Sequence, residues 1–90
     1  MNKLVDVLIV DDRQDSLVAL EAVLSGPRYN LVKASSGEEA LTVLDQYDFA
    51  VILLDVQMPG MDGFETAAHI RQHPRHQYTP IIFITAINKD

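Results

Sequence analysis

The sequence predicts an α/β protein built on a parallel sheet, and three observations carry the prediction. Apolar runs of strand length alternate with longer segments of helical spacing, in the order strand, helix, strand, helix, strand, helix, strand. Each connection between successive runs is long enough to hold a helix, which makes the strands parallel and the crossovers right-handed. Three of the four runs end in oxygen-bearing side chains, at Asp11-Asp12, at Asp55 and at Thr85. A parallel sheet lines up all such ends along one edge, where open α/β sheets keep their chemistry.

Each element has its own justification. Leu4 to Val10 is apolar except for Asp6 and reads as a first strand that stops at Asp11-Asp12. Arg13 to Ser25 carries Leu17, Leu20, Val23 and Leu24 at helical spacing, and Gly26-Pro27 closes the helix. Tyr29 to Ala34 is a short second strand. Ser36-Gly37-Glu38-Glu39 reads as a capping box with Ser36 and Glu39 as reciprocal partners. Ala40, Leu41, Val43 and Leu44 supply the buried face of this second helix, which ends near Tyr47-Asp48.

Phe49 to Leu54 is continuously apolar and rich in branched side chains, as suits a strand covered on both faces. Asp55 would be costly inside a core, so the strand emerges into a loop there. Pro59 lacks a donor and Gly60 permits positive φ, so the chain turns. Asp62 caps a third helix over Gly63 to Gln72, with Phe64, Ala67, Ala68 and Ile70 as its apolar positions and Met58 and Met61 packing the turn. His73-Pro74 stops the helix, and Arg75 to Thr79 is a polar connection. Pro80 to Ile84 reads as a fourth buried strand, ending at Thr85.

Composition narrows the function. Ninety residues make one small domain, and 48% hydrophobic with 22% charged residues is ordinary for a globular chain. The absence of cysteine removes disulfides, thiolate metal sites and thiol nucleophiles, and fits a cytoplasmic location. No apolar stretch approaches a membrane span, and the N-terminus lacks a signal-peptide layout. A net charge of −6 argues against a nucleic-acid surface and suits carboxylates gathered around a cation. The segment from Asp55 faintly echoes an EF-hand loop, but Pro59 and Thr66 stand where acids are required. His69 and His73 stand four apart on a helix with His76 nearby, the spacing of a surface zinc site, but the Glu of the metalloprotease pattern is missing and Pro74 frays the helix, so all three read as solvated side chains.

If the strands are neighbours, Asp11, Asp12 and Asp55 converge, and carboxylates brought that close raise each other's pKa unless a cation neutralises them. Oxygen-only donors point to a hard ion, and partly hydrated Mg²⁺ suits a shallow site better than Ca²⁺ does. An aspartate beside such an ion can act as a nucleophile toward phosphorus.

Three pieces, in this order and spacing, resemble the receiver domain of two-component response regulators: Val10-Asp11-Asp12, then Leu54 to Gly63, then Ile84-Thr85-Ala86. The resemblance runs from Leu4 to Lys89 and implies a flavodoxin-like doubly wound parallel sheet of strand order 2-1-3-4-5. It implies that Asp55 accepts a phosphoryl group from a histidine kinase or a phosphotransfer protein. Asp12 would bind Mg²⁺ directly, Asp11 through water, and the Gln57 backbone carbonyl would be a third ligand. The Gln57 side chain would tune loss of the phosphoryl group. Thr85 would be the switch hydroxyl, and Ala86 would leave room for the phosphoryl group.

The match stops after the fourth strand. The family's fourth helix, fifth strand with its lysine and aromatic, and fifth helix have no counterpart here, and Lys89 follows Thr85 too soon to be that lysine. Residues 1–90 are therefore expected to be an incomplete receiver, part of a longer protein or paired with a second copy as a homodimer. Its partners would be the phosphoryl donor and a downstream output domain, itself an enzyme in some receivers. The implied role is a phosphorylation-dependent switch rather than an enzyme. Two alternatives stand beside it: a degenerate receiver serving only as an interaction module, and a Mg²⁺-dependent aspartyl phosphotransferase or hydrolase. That last class wants a second acid two residues after the nucleophile, where Gln57 stands.

Overall fold

A computed structural model describes residues 4–85. Its strands are β1 (Val5–Val10), β2 (Tyr29–Ala34), β3 (Val51–Asp55) and β4 (Ile81–Ile84), and its helices are α1 (Gln14–Leu24), α2 (Gly37–Gln46) and α3 (Gly63–Gln72). A 3₁₀ turn at Pro74–His76 joins α3 to β4. All strand pairs are parallel, in the order β2-β1-β3-β4. The chain moves outward from β1 to β2 and then returns to the other side of β1 for β3. That reversal opens a crevice at the carboxyl ends of β1 and β3.

Alternate residues of the central strands feed two cores. Leu8, Val10, Ile52 and Leu54 pack with Ala40 and Leu44 of α2 and Ile70 of α3. Val7 and Ile9 face the other way, onto Leu17 of α1, with Leu20, Leu24, Val51 and Leu53 partly covering them. Apolar demand on both faces explains why these strands read as unbroken hydrophobic runs. The α1 side is thinner, and β4 is not the buried strand its apolar run suggests: it lies last in the order of the described strands, and Ile82 and Phe83 are 52% and 42% exposed.

Several expectations need correction. Val23 is exposed: the buried stripe of α1 is set by Leu17, Leu20 and Leu24, and Val23 lies outside it. On α3 the inward positions are Gly63, Thr66, Ala67 and Ile70, at helical spacing. Phe64 and Ala68 therefore point outward, and the Phe64 ring rests on Phe83 with centroids 5.1 Å apart. Thr66 tolerates complete burial because its Oγ1 donates to the Asp62 carbonyl at 2.7 Å.

The α2 cap is only half a box. Ser36 Oγ accepts from the Glu39 N–H at 3.0 Å, but the Glu39 carboxylate reaches back to the N–H and hydroxyl of Ser35, at 2.7 and 2.8 Å. The reciprocal box forms at α3 instead, between Asp62 and Glu65.

His76, expected in solvent, is 1% exposed. Its Nε2 donates to the Leu44 carbonyl at 2.8 Å, the carbonyl being only an acceptor. Arg75 donates to the carbonyls of Leu44 and Asp45, both at 3.2 Å, and to Asp48 Oδ1 at 3.0 Å. His73 meets Asp45 at 3.2 Å. The turn after α3 thus closes the C-terminus of α2, whose own last turn has no basic residue.

Candidate functional site at the carboxyl ends of the strands

Asp11 directly follows β1, and its N–H donates to the Ala34 carbonyl at 3.1 Å, so β1–β2 pairing continues to the acid itself. Asp55 is the last residue of β3 and lies opposite Ile84 of β4. The next N–H, of Val56, donates to the Ile84 carbonyl at 3.0 Å. Strand pairing on both sides therefore fixes where the two acids emerge.

Each of Asp11, Asp12 and Asp55 offers a carboxylate oxygen within 4.8 Å of the others. Among the described residues, no other group of three metal-ligating side chains comes together in this way. Asp11 and Asp55 are each 5% exposed. Asp11 Oδ1 accepts from the Arg13 N–H at 3.0 Å, and Asp55 Oδ1 from the Gln57 N–H at 3.3 Å. Both are turns in which an aspartate bonds backbone two residues on, and both hold the carboxylate in a set direction.

Burial pushes the Asp55 carboxyl up to about 6; the Gln57 N–H opposes this, while the charges of Asp11 and Asp12 and a hydrogen-bonding contact with Asp11 add to it. The crowding expected from the sequence is therefore present, although desolvation contributes more than charge.

The residues behind the acids explain the loop. The Gly63 N–H donates to the Val56 carbonyl at 3.0 Å, bringing the first turn of α3 onto the end of β3. A Cβ at Gly63 would overlap the Asp55 carbonyl oxygen and lie 2.8 Å from Val56 Cα. Gly37 is needed for the same reason, since a Cβ there would collide with Thr66 and sit 3.0 Å from Met61 Sδ. Sequence reasoning missed both close approaches; the one signal is a glycine in the first turn of each helix. Met58 is buried in the α2–α3 core, as its turn-packing reading implied.

Thr85 follows β4 immediately and shares this edge of the sheet, on the strand adjacent to that of Asp55, where it is exposed. The Gln57 side chain is exposed. Ala86 and Lys89 lie outside the described residues. The histidines take no part: His73 and His76 stand against the C-terminus of α2, and His69 faces solvent.

A family model for the response regulator receiver domain matches residues 7–90, and the chain belongs to that family. A probable cyclic di-GMP phosphodiesterase of Vibrio cholerae is 38% identical over 79 residues, which are 88% of this chain and 18% of that protein. The chain thus spans about a fifth of the length of such curated relatives. The Vibrio cholerae chemotaxis protein CheY4 superposes with a TM-score of 0.87 at 32% identity, covering 96% of this chain and 72% of that one. TrrA of Thermotoga maritima, solved in complex with Mg²⁺-BeF, does so with a TM-score of 0.84 at 32% identity, covering 94% and 72%. Over the four described strands the sheet order is the one the resemblance implied.

Proposed function

We propose that this chain is the phosphoacceptor module of a two-component phosphorelay, with Asp55 as the acceptor. The observation that carries the reading is the meeting of Asp11 and Asp12 with Asp55 at the mouth of β3. Transfer would form a bond between an Asp55 carboxylate oxygen and phosphorus while the P–N bond of a donor phosphohistidine breaks. The electron pair of that bond stays on the ring nitrogen, which takes a proton from solvent and leaves as neutral imidazole. Attack requires the ionised carboxylate; burial pushes Asp55 up to about 6, and a cation held by the cluster would oppose that shift and favour the ionised form.

The donor set fits Mg²⁺: it is all oxygen, anionic and crowded, and two of its three carboxylates are withdrawn from water. Asp12 would hold the ion directly, Asp11 through water, and Asp55 and the Gln57 backbone carbonyl would complete the protein ligands. When bound, the ion offsets the repulsion between these carboxylates and an incoming phosphoryl group. Thr85 would bind a phosphoryl oxygen through its hydroxyl and shift toward Asp55, and Ala86 would leave the space. The donor would be a histidine kinase or a phosphotransfer protein. In this reading the receiver is read by a downstream output domain or partner.

Incubation with acetyl phosphate and Mg²⁺ tests the proposal by intact mass. The expected result is a labile gain of one phosphoryl group that is absent in Asp55→Asn. No gain in the natural chain, an undiminished gain in Asp55→Asn, or turnover of simple phosphate esters would overturn it.

A further inference from the structure

Arg13 stands at the lip of the carboxylate cluster because its own backbone is tied there, its N–H bonded to Asp11 Oδ1 at 3.0 Å. Asp11 in turn has a carboxylate oxygen within 4.8 Å of those of Asp12 and Asp55, a span that an arginine stem can cross. The guanidinium nevertheless points elsewhere, with Nη2 on Asp15 Oδ2 at 3.0 Å. That pair is loose: the two side chains are 46% and 73% exposed, and ion pairs so open to water hold weakly. Asp15 is not orphaned if the arginine leaves. Its other oxygen accepts the Ser16 N–H at 2.9 Å in the first turn of α1, where a carboxylate is favoured.

We propose that Arg13 is a positioning arm with two resting places, Asp15 before phosphoryl transfer and the phosphoryl group on Asp55 afterwards. This rests on the reading of Asp55 as the acceptor. A phosphoryl group brings nearly two negative charges and three acceptor oxygens to a place where Asp55 had one charge, and a guanidinium binds such an oxygen pair with two parallel N–H bonds. The contact to Asp15 is a single one at the surface. Asp15 is thus a competitor for the arm, and its removal frees Arg13 for the site.

The opposite roles of the two residues make the idea testable. The probe is beryllium fluoride, titrated into the whole chain at fixed Mg²⁺ and followed by ¹⁹F NMR, because a relative holds the Mg²⁺-BeF pair. Arg13→Gln is expected to weaken binding roughly three- to tenfold at low salt, an effect that shrinks as salt screens it. Asp15→Asn is expected to tighten binding, Arg13→Lys to restore part of the loss, and the double variant to behave like Arg13→Gln alone. A salt bridge that served only to hold α1 would make both single variants shift the same way. That result, or unchanged binding in Arg13→Gln, overturns the inference while leaving Asp55 as acceptor intact. If the natural chain binds no better than Asp55→Asn, the acceptor reading fails, and this one with it.

Discussion

Asp55 has to satisfy two demands at once: a backbone position inside the sheet and a side chain that carries charge. Burial raises its pKa from the ordinary 3.8 to about 6. Between those values the folded protein holds a proton that the unfolded chain releases, so the Asp55 contribution to stability is full below about pH 4 and is lost as pH rises to about 6. Urea unfolding in EDTA across this range should show that loss, and Asp55→Asn should flatten it. Mg²⁺ reverses the dependence, since it competes with the proton: its stabilising effect should emerge as pH rises through about 6. At this scale the acids themselves were plain in the sequence, because a carboxylate closing an apolar run is conspicuous. The burial that dominates the Asp55 shift was not, because it depends on neighbours remote in sequence.

The elements show what local signals can and cannot report. Gly26-Pro27 and His73-Pro74 mark their helix ends correctly, since those residues disfavour helix by their own backbone chemistry. The end of α2 is different, because its cap comes from residues about thirty positions later, His73, Arg75 and His76. His76 both fills buried space and donates to the Leu44 carbonyl. His76→Ala should therefore cost about 2–4 kcal/mol in urea unfolding, through the cavity and the lost hydrogen bond. His69→Ala, at an exposed position of α3, should change stability by less than about 0.5 kcal/mol.

Across the whole molecule, a net charge of −6 and three converging carboxylates make the unliganded fold work against its own electrostatics. A cation that binds the folded site relieves this. Free Mg²⁺ at a hundred times its Kd should add about 2.7 kcal/mol of stability, seen as a rise in Tm that EDTA reverses. Asp12→Asn should remove most of that rise. A Tm rise of the same size in Asp12→Asn would show that the ion acts through general screening and not through this cluster. The described residues of the sheet are also unevenly covered: α2 and α3 close one face, α1 alone lies on the other, and Ile82 and Phe83 of β4 remain largely open.

The sequence by itself determined the succession of strands and helices, the apolar filling of both sheet faces, and the oxygen-bearing tips of three strands. These are properties of a residue and its near neighbours, visible as period, run length and turn chemistry. Only the tertiary structure decided that β3 lies between β1 and β4, so that Asp55 meets Asp11 and Asp12. It alone also buried His76 and Thr66 and turned Phe64 outward. Such outcomes depend on which surfaces meet across long stretches of chain, and spacing along the sequence carries no record of that choice.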